Sequence, residues 1–141
     1  MSPEKILYRA TVKSTGGRDG SSVSSDGILN VKLSVPKEMG GQGGEATNPE
    51  QLFAAGYSAC YLGALKAAAA KEKITVPPES SVEAIVGIGP LPTGFGLAVE
   101  LRVSMPGIPA DTAKMLIDKA HLICPYSNAT RNNITVQTVV V

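Results

Sequence analysis

Apolar and polar residues alternate over positions 6–13 and again over 28–35 of this 141-residue chain, and a period of two predicts two strands. The polar Gly/Ser/Asp stretch between them, 14–27, has room for one short extra strand, so the segment reads as a hairpin with a decorated turn. The pattern then changes. Within residues 47–73, the run from Gln51 to Leu65 carries no charged side chain and follows a capping signal, which predicts a helix buried on all sides. The run is too short to cross a bilayer, which takes about 20 apolar residues. After the break at Pro77 and Pro78, positions 81–88 and 95–105 alternate around a Gly/Pro turn and predict a second hairpin. In residues 109–124, Ala113, Leu116, Ile117, Ala120, Ile123 and Cys124 share one helical face, with Pro109 suited to the first turn and Pro125 ending the helix at or soon after Cys124. A polar turn, 125–133, and a last strand, 134–141, complete the order ββ-α-ββ-α-β.

Antiparallel hairpins with segregated helices predict an α+β fold, and the absence of repeats or linkers predicts a single domain over residues 1–141. A helix apolar on every side needs more cover than one small sheet and one other helix provide. A homodimer, with the central helix covered from a second chain, is therefore expected.

Composition narrows the partners. Thirteen basic and twelve acidic residues, spread without blocks, give a net charge of +1, which points away from nucleic acid or an anionic membrane. Residues 1–10 lack the apolar core of a secretion signal, so the expected location is cytoplasmic, where a disulfide is transient rather than structural. Without such a signal the triplets beginning at Asn128 and Asn133 are chance glycosylation matches. The glycines at 40, 41, 43 and 44 predict a mobile surface loop, because no Gly-Lys-Ser/Thr ending follows to make a phosphate cradle.

Candidate chemistry centres on the only two cysteines, Cys60 and Cys124, each on an inward helix face. Such a pair is either inert core or redox chemistry. One helical turn from Cys60 stand Gly56, Tyr57, Gly63 and Ala64, and the glycines leave space for another backbone or a ligand, or equally for a tight helix crossing. A reactive Cys60 needs a fixed cation, because it lies about ten residues inside its helix, beyond the dipole's reach, and burial raises a thiol pKa. Arg18, in Gly16-Gly17-Arg18-Asp19-Gly20, is the best candidate; the alternative is an ordinary exposed turn arginine. Glu50, in Thr47-Asn48-Pro49-Glu50, reads either as the end of a capping box or as a carboxylate that orients Arg18. On one straight helix Glu50 and Cys60 would be about 15 Å apart along the axis. A shared site therefore needs either a break after Glu50 or Arg18 and Glu50 from a partner subunit.

One histidine and two distant cysteines form no metal-ligand spacing, and Gly56-Tyr57-Ser58-Ala59-Cys60 lacks the closing glycine of a serine-hydrolase elbow. His121 reads as a surface residue at a helix end. Phe53, Met39 and Phe95 could line an apolar site or belong to an ordinary core.

Three blocks carry a resemblance: Thr15-Gly-Gly-Arg18, the run from Thr47 to Cys60, and Cys124-Pro-Tyr-Ser-Asn-Ala-Thr-Arg-Asn-Asn133. They resemble the Ohr/OsmC family, and its organic hydroperoxide resistance branch in particular, essentially end to end. The resemblance implies a thiol peroxidase built as an intertwined homodimer, with antiparallel sheets wrapped around central helices and two sites at the subunit interface. It implies that Cys60 is the peroxidatic cysteine, Cys124 the resolving one, and Arg18 and Glu50 the activating pair. Alkyl or fatty-acid hydroperoxides are the implied substrates, with no metal or haem cofactor. The implied reductant is a dithiol, the dihydrolipoamide of a lipoylated protein recycled by lipoamide dehydrogenase. An OsmC-type peroxidase of broader specificity and a redox-sensing or binding module are the alternatives.

Overall fold

Every residue, Met1–Val141, is described by a computed structural model, in which the chain divides into two units, Met1–Leu52 and Phe53–Val141. The first unit holds a three-stranded antiparallel sheet of β1 (Val12–Thr15), β2 (Ser21–Ser24) and β3 (Asn30–Lys32), in that order. β2 is the extra strand for which the polar 14–27 stretch had room. The strands expected over 6–13 and 28–35 are much shorter than their alternation suggests. Nothing in this chain pairs with residues 6–10, and Leu7 and Tyr8 are 86% and 81% exposed. At the other strand, the Asp26 carboxylate accepts the Ile28 N–H, and this Asx turn holds Ile28 out of the sheet. The glycine-rich segment folds back on itself, with the amides of Gly41 and Gly43 bonded to the carbonyls of Pro36 and Val35.

A long helix, α1 (Pro49–Lys71), begins at the end of the first unit and continues through the second. Asn48 caps it, accepting the Gln51 N–H at 2.8 Å, while Pro49 stands at the first helical position. The second unit's sheet has the order β4 (Ser81–Leu91), β5 (Gly94–Ser104), β6 (Val136–Val140). β4 and β5 form the expected hairpin, longer than its alternation predicts. Pro90 is tolerated in β4 because that strand is an edge. β6 runs parallel to β5, so this sheet is mixed rather than wholly antiparallel. The reason is the crossover α2 (Ala110–Ile123) and α3 (Pro125–Thr130), which returns the chain to the starting end of β5.

The second unit's core joins Tyr57, Tyr61 and Leu65 of α1 to Leu101 and Val103 of β5 and Leu116 and Ala120 of α2, all essentially inaccessible. Burying each of the leucines contributes roughly 1.5–3 kcal/mol. The α2 face is the one its periodicity predicts. α1 departs from expectation: Ala55, Ala59, Gly63 and Ala67 are exposed, so within a single chain the helix is not covered on all sides. The fold class is α+β, as expected.

Candidate active site

The structure brings the four expected site residues together as two pairs, Arg18 with Glu50 in the first unit and Cys60 with Cys124 in the second. Arg18 sits in a 3-10 turn, Gly17–Asp19. Gly16 enters it with φ at 75°, and a Cβ on Gly20 would fall 1.7 Å from the Thr15 carbonyl oxygen, so only glycine fits at both ends. The tight turn presents a planar guanidinium that grips Glu50 in bidentate fashion, Nη1 donating to Oε2 at 3.0 Å and Nη2 to Oε1 at 2.8 Å. Arg18's bonds hold the Glu50 carboxyl below the ordinary carboxylate range, outweighing the opposing effect of burial.

Glu50 is free for this because it is not the cap. The Thr47-to-Glu50 capping box suggested by the sequence is displaced by one residue: Asn48 caps the helix at Gln51, and the Thr47 hydroxyl bonds the Gln51 side chain at 2.6 Å.

In the second unit the Cys60 and Cys124 sulfurs lie 3.4 Å apart as free thiols. A disulfide length near 2.05 Å leaves about 1.4 Å to close. Cys124 is completely buried and Cys60 only partly so. Cys124 occupies the joint between two helices. Its N–H ends α2 on the Ala120 carbonyl, and its Sγ accepts the Ser127 N–H at 3.5 Å as the first residue of α3 follows. Burial pushes the Cys60 thiol above its ordinary value; the Tyr126 amide opposes that push and neighbouring Cys124 reinforces it. Nothing in this pair supplies the cation a nucleophilic thiolate needs.

The space beside Gly56 is taken by a side chain rather than by another backbone. The Tyr126 ring packs there, and a Cβ on Gly56 would meet its Oη at 2.6 Å. Tyr126 also stacks on Tyr57, with ring centroids 5.7 Å apart, and meets Phe53 edge-on. Beyond it opens a cavity of about 710 Å³ lined by Phe53, Leu91, Phe95, Tyr126 and Ile134. Two of the three speculative lining residues, Phe53 and Phe95, are therefore wall; Met39 lies in the first unit on an exposed turn.

Comparison with known proteins decides the family. The profile of the OsmC-like protein family matches residues 41–139. An organic hydroperoxide resistance protein of Xanthomonas axonopodis pv. citri is 58% identical over 96% of this chain and 95% of its own. The chain belongs to the OsmC-like family, in its organic hydroperoxide resistance branch. Solved structures of that branch superpose closely. One from Legionella pneumophila has a TM-score of 0.92 at 44% identity, covering 96% of this chain and 98% of its own. OhrB of Bacillus subtilis has 0.88 at 37%, covering 96% and 100%.

His121 is the main correction within this family member's site region. It is not a free surface residue: its ring lies 4.7 Å from that of Tyr61, Nδ1 is 2.9 Å from Ser127 Oγ and Nε2 2.8 Å from Thr138 Oγ1. Tyr57, Tyr126 and Ser127 were likewise not singled out as site residues. The available signal was spacing, since Tyr57 precedes Cys60 and Ser127 follows Cys124 by three residues.

Proposed function

We propose that this protein is a cysteine-based peroxidase that reduces organic hydroperoxides to alcohols. The observation that carries the reading is the pair of reduced sulfurs 3.4 Å apart, one partly exposed and one buried. The names of its relatives, organic hydroperoxide resistance proteins, support the substrate class, and the apolar cavity beside Tyr126 suits an alkyl chain.

In the proposed cycle the Cys60 thiolate attacks the terminal peroxide oxygen. The S–O bond forms, the O–O bond breaks, and the alkoxide leaves and takes up a proton as the alcohol. Cys124 sulfur then attacks the Cys60 sulfenic sulfur; the S–S bond forms and the hydroxyl leaves with the Cys124 proton as water. Two electrons pass from the thiols to the peroxide. Arg18, oriented by Glu50, supplies the missing positive charge and steadies the departing alkoxide.

We take that pair to reach Cys60 from a partner subunit, a route that the unbroken helix α1, Pro49–Lys71, supports. The exposed stripe of Ala55, Ala59, Gly63 and Ala67, together with exposed Ile6, Leu7 and Tyr8, supports the homodimer this requires. The disulfide would be reduced by a dithiol, for which we take the dihydrolipoamide arm of a lipoylated protein recycled by lipoamide dehydrogenase. Its thiol would reach Cys60, the sulfur that is not fully buried. Such a cycle belongs in a reducing compartment, and we assign it to the cytoplasm. No helix is long and apolar enough to cross a membrane.

Intact and peptide mass spectrometry of the pre-reduced protein after one equivalent of cumene hydroperoxide tests the reading. The expected product is an intramolecular Cys60–Cys124 disulfide within seconds. Two unmodified thiols after minutes would overturn it.

A further inference from the structure

Three side chains outside the thiol pair tie together the segments that carry it. Tyr57 stands one helical turn before Cys60 on α1, Ser127 one turn after Cys124 on α3, and His121 three residues before Cys124 on α2. The Tyr57 hydroxyl lies 2.9 Å from Ser127 Oγ and 3.2 Å from Thr130 Oγ1. Ser127 Oγ is also 2.9 Å from His121 Nδ1, and the far ring nitrogen of His121 is anchored on Thr138 of β6. The same Ser127 donates its amide to Cys124 Sγ. A hydroxyl bridge therefore spans α1 and α3 alongside the sulfur–sulfur contact, one turn away from each sulfur.

The bridge is buried: Tyr57 is wholly inaccessible and Ser127 is 3% exposed. Both ring nitrogens of His121 have hydroxyl partners, so either neutral tautomer is satisfied. Burial, and then the charge of Arg131 on the adjoining turn, hold His121 below its ordinary value, the charge of Asp118 opposing them. Arg131 also donates to the His121 carbonyl, fastening the end of α3 to α2.

We propose that Tyr57, Ser127 and His121 form a clamp that positions Cys124 against Cys60 and so sets the rate at which the Cys60 sulfenic acid closes to the disulfide. This rests on the peroxidase reading. Closure is intramolecular and competes with a second hydroperoxide. In that side reaction the sulfenic sulfur gains a further oxygen to become sulfinic acid, and a second molecule of alcohol is released. A loosened α3 lowers the fraction of molecules with Cys124 in position and shifts the outcome towards sulfinic acid. These are positioning residues, since none of them touches the peroxide in this scheme.

The test is single-turnover stopped flow and peptide mass spectrometry on wild type, Ser127→Ala and Tyr57→Phe, each checked for folding by circular dichroism. Disulfide closure should slow by about fivefold, the equivalent of one buried hydroxyl bond of about 1 kcal/mol. Cys60 sulfinic acid should appear at correspondingly lower hydroperoxide concentration, while the second-order rate of peroxide consumption stays as in wild type. Closure at the wild-type rate in Ser127→Ala would overturn the clamp, and so would an equal fall in both steps, which marks a merely structural role. Should Tyr57→Phe fail to fold, Ser127→Ala alone decides. A wild type that forms no disulfide would instead sink the peroxidase reading, a result distinct from either.

Discussion

Substituting Gly56 by alanine sets two effects of opposite sign against each other. Inside a helix, alanine is favoured over glycine by about 1 kcal/mol. Against this, the new Cβ would lie 2.6 Å from Tyr126 Oη and 3.1 Å from Cε2 and Cζ. Comfortable carbon contacts begin near 3.5 Å, so the ring must retreat by roughly 0.5–1 Å. Tyr126 is 38% exposed and has room to move outward, but doing so disturbs its stack on Tyr57 and its edge contact with Phe53. Overpacking of this kind costs about 1–3 kcal/mol, so Gly56→Ala should destabilise by about 0–2 kcal/mol net. A double-mutant cycle isolates the cause. In a Tyr126→Ala background the obstruction is gone, and Gly56→Ala should stabilise by about 1 kcal/mol. The assay is guanidinium unfolding at one fixed protein concentration, comparing midpoints at unchanged slope. Stabilisation by the same amount in both backgrounds would refute the packing of Tyr126 on Gly56.

Two further predictions concern the ion pair. Arg18→Met should lower the peroxide rate at pH 7 by at least about 30-fold, because even an ordinary cysteine is only about 3% thiolate there and burial holds Cys60 higher still. The part of the loss that comes from the thiolate fraction should recover as pH is raised through the alkaline range; an equal loss at every pH would exclude thiolate activation by Arg18 and leave only its action on the departing alkoxide. Glu50 is held low by Arg18, so its contribution to stability is present above the ordinary carboxylate value near 4 and fades as pH falls through the lowered value. Glu50→Gln should flatten that acid limb in pH-dependent unfolding, and an unchanged limb would show that the pair contributes nothing there.

Much of this was legible in the chain. The α2 face from Ala113 to Cys124 follows from spacing alone, because a helix that packs on one side must repeat its apolar residues at that interval. The uncharged run around Cys60 is legible as a helix from its capping signal, though not the stripe that the chain leaves exposed, and the β4–β5 hairpin is legible from its alternation. What escaped depends on partners distant in sequence. α3 is six residues beginning with proline and containing Ser, Asn and Thr, poor helix formers whose helicity rests on the Cys124 cap and on buried Ser127 and Thr130. β6 reads as a strand, but nothing in its residues says that it lies parallel to β5. Residues 6–10 alternate like a strand yet have no edge to join within this chain. His121 looks like any histidine at a helix end until Tyr61, Ser127 and Thr138 close around it.

The division of labour at the entrance to α1 has a consequence for how this sequence can vary. Asn48 and Gln51 close the helix end between them, while Glu50, held between them in sequence, spends its charge on Arg18. Helix cap and counter-ion are thereby placed on separate residues only two positions apart. Under the proposed cycle, drift at Asn48 would be answered in the stability of the helix end, and drift at Glu50 in turnover and in the acid limb of unfolding. A lineage can retune one without disturbing the other, a freedom it would lose if a single carboxylate served both as cap and as counter-ion.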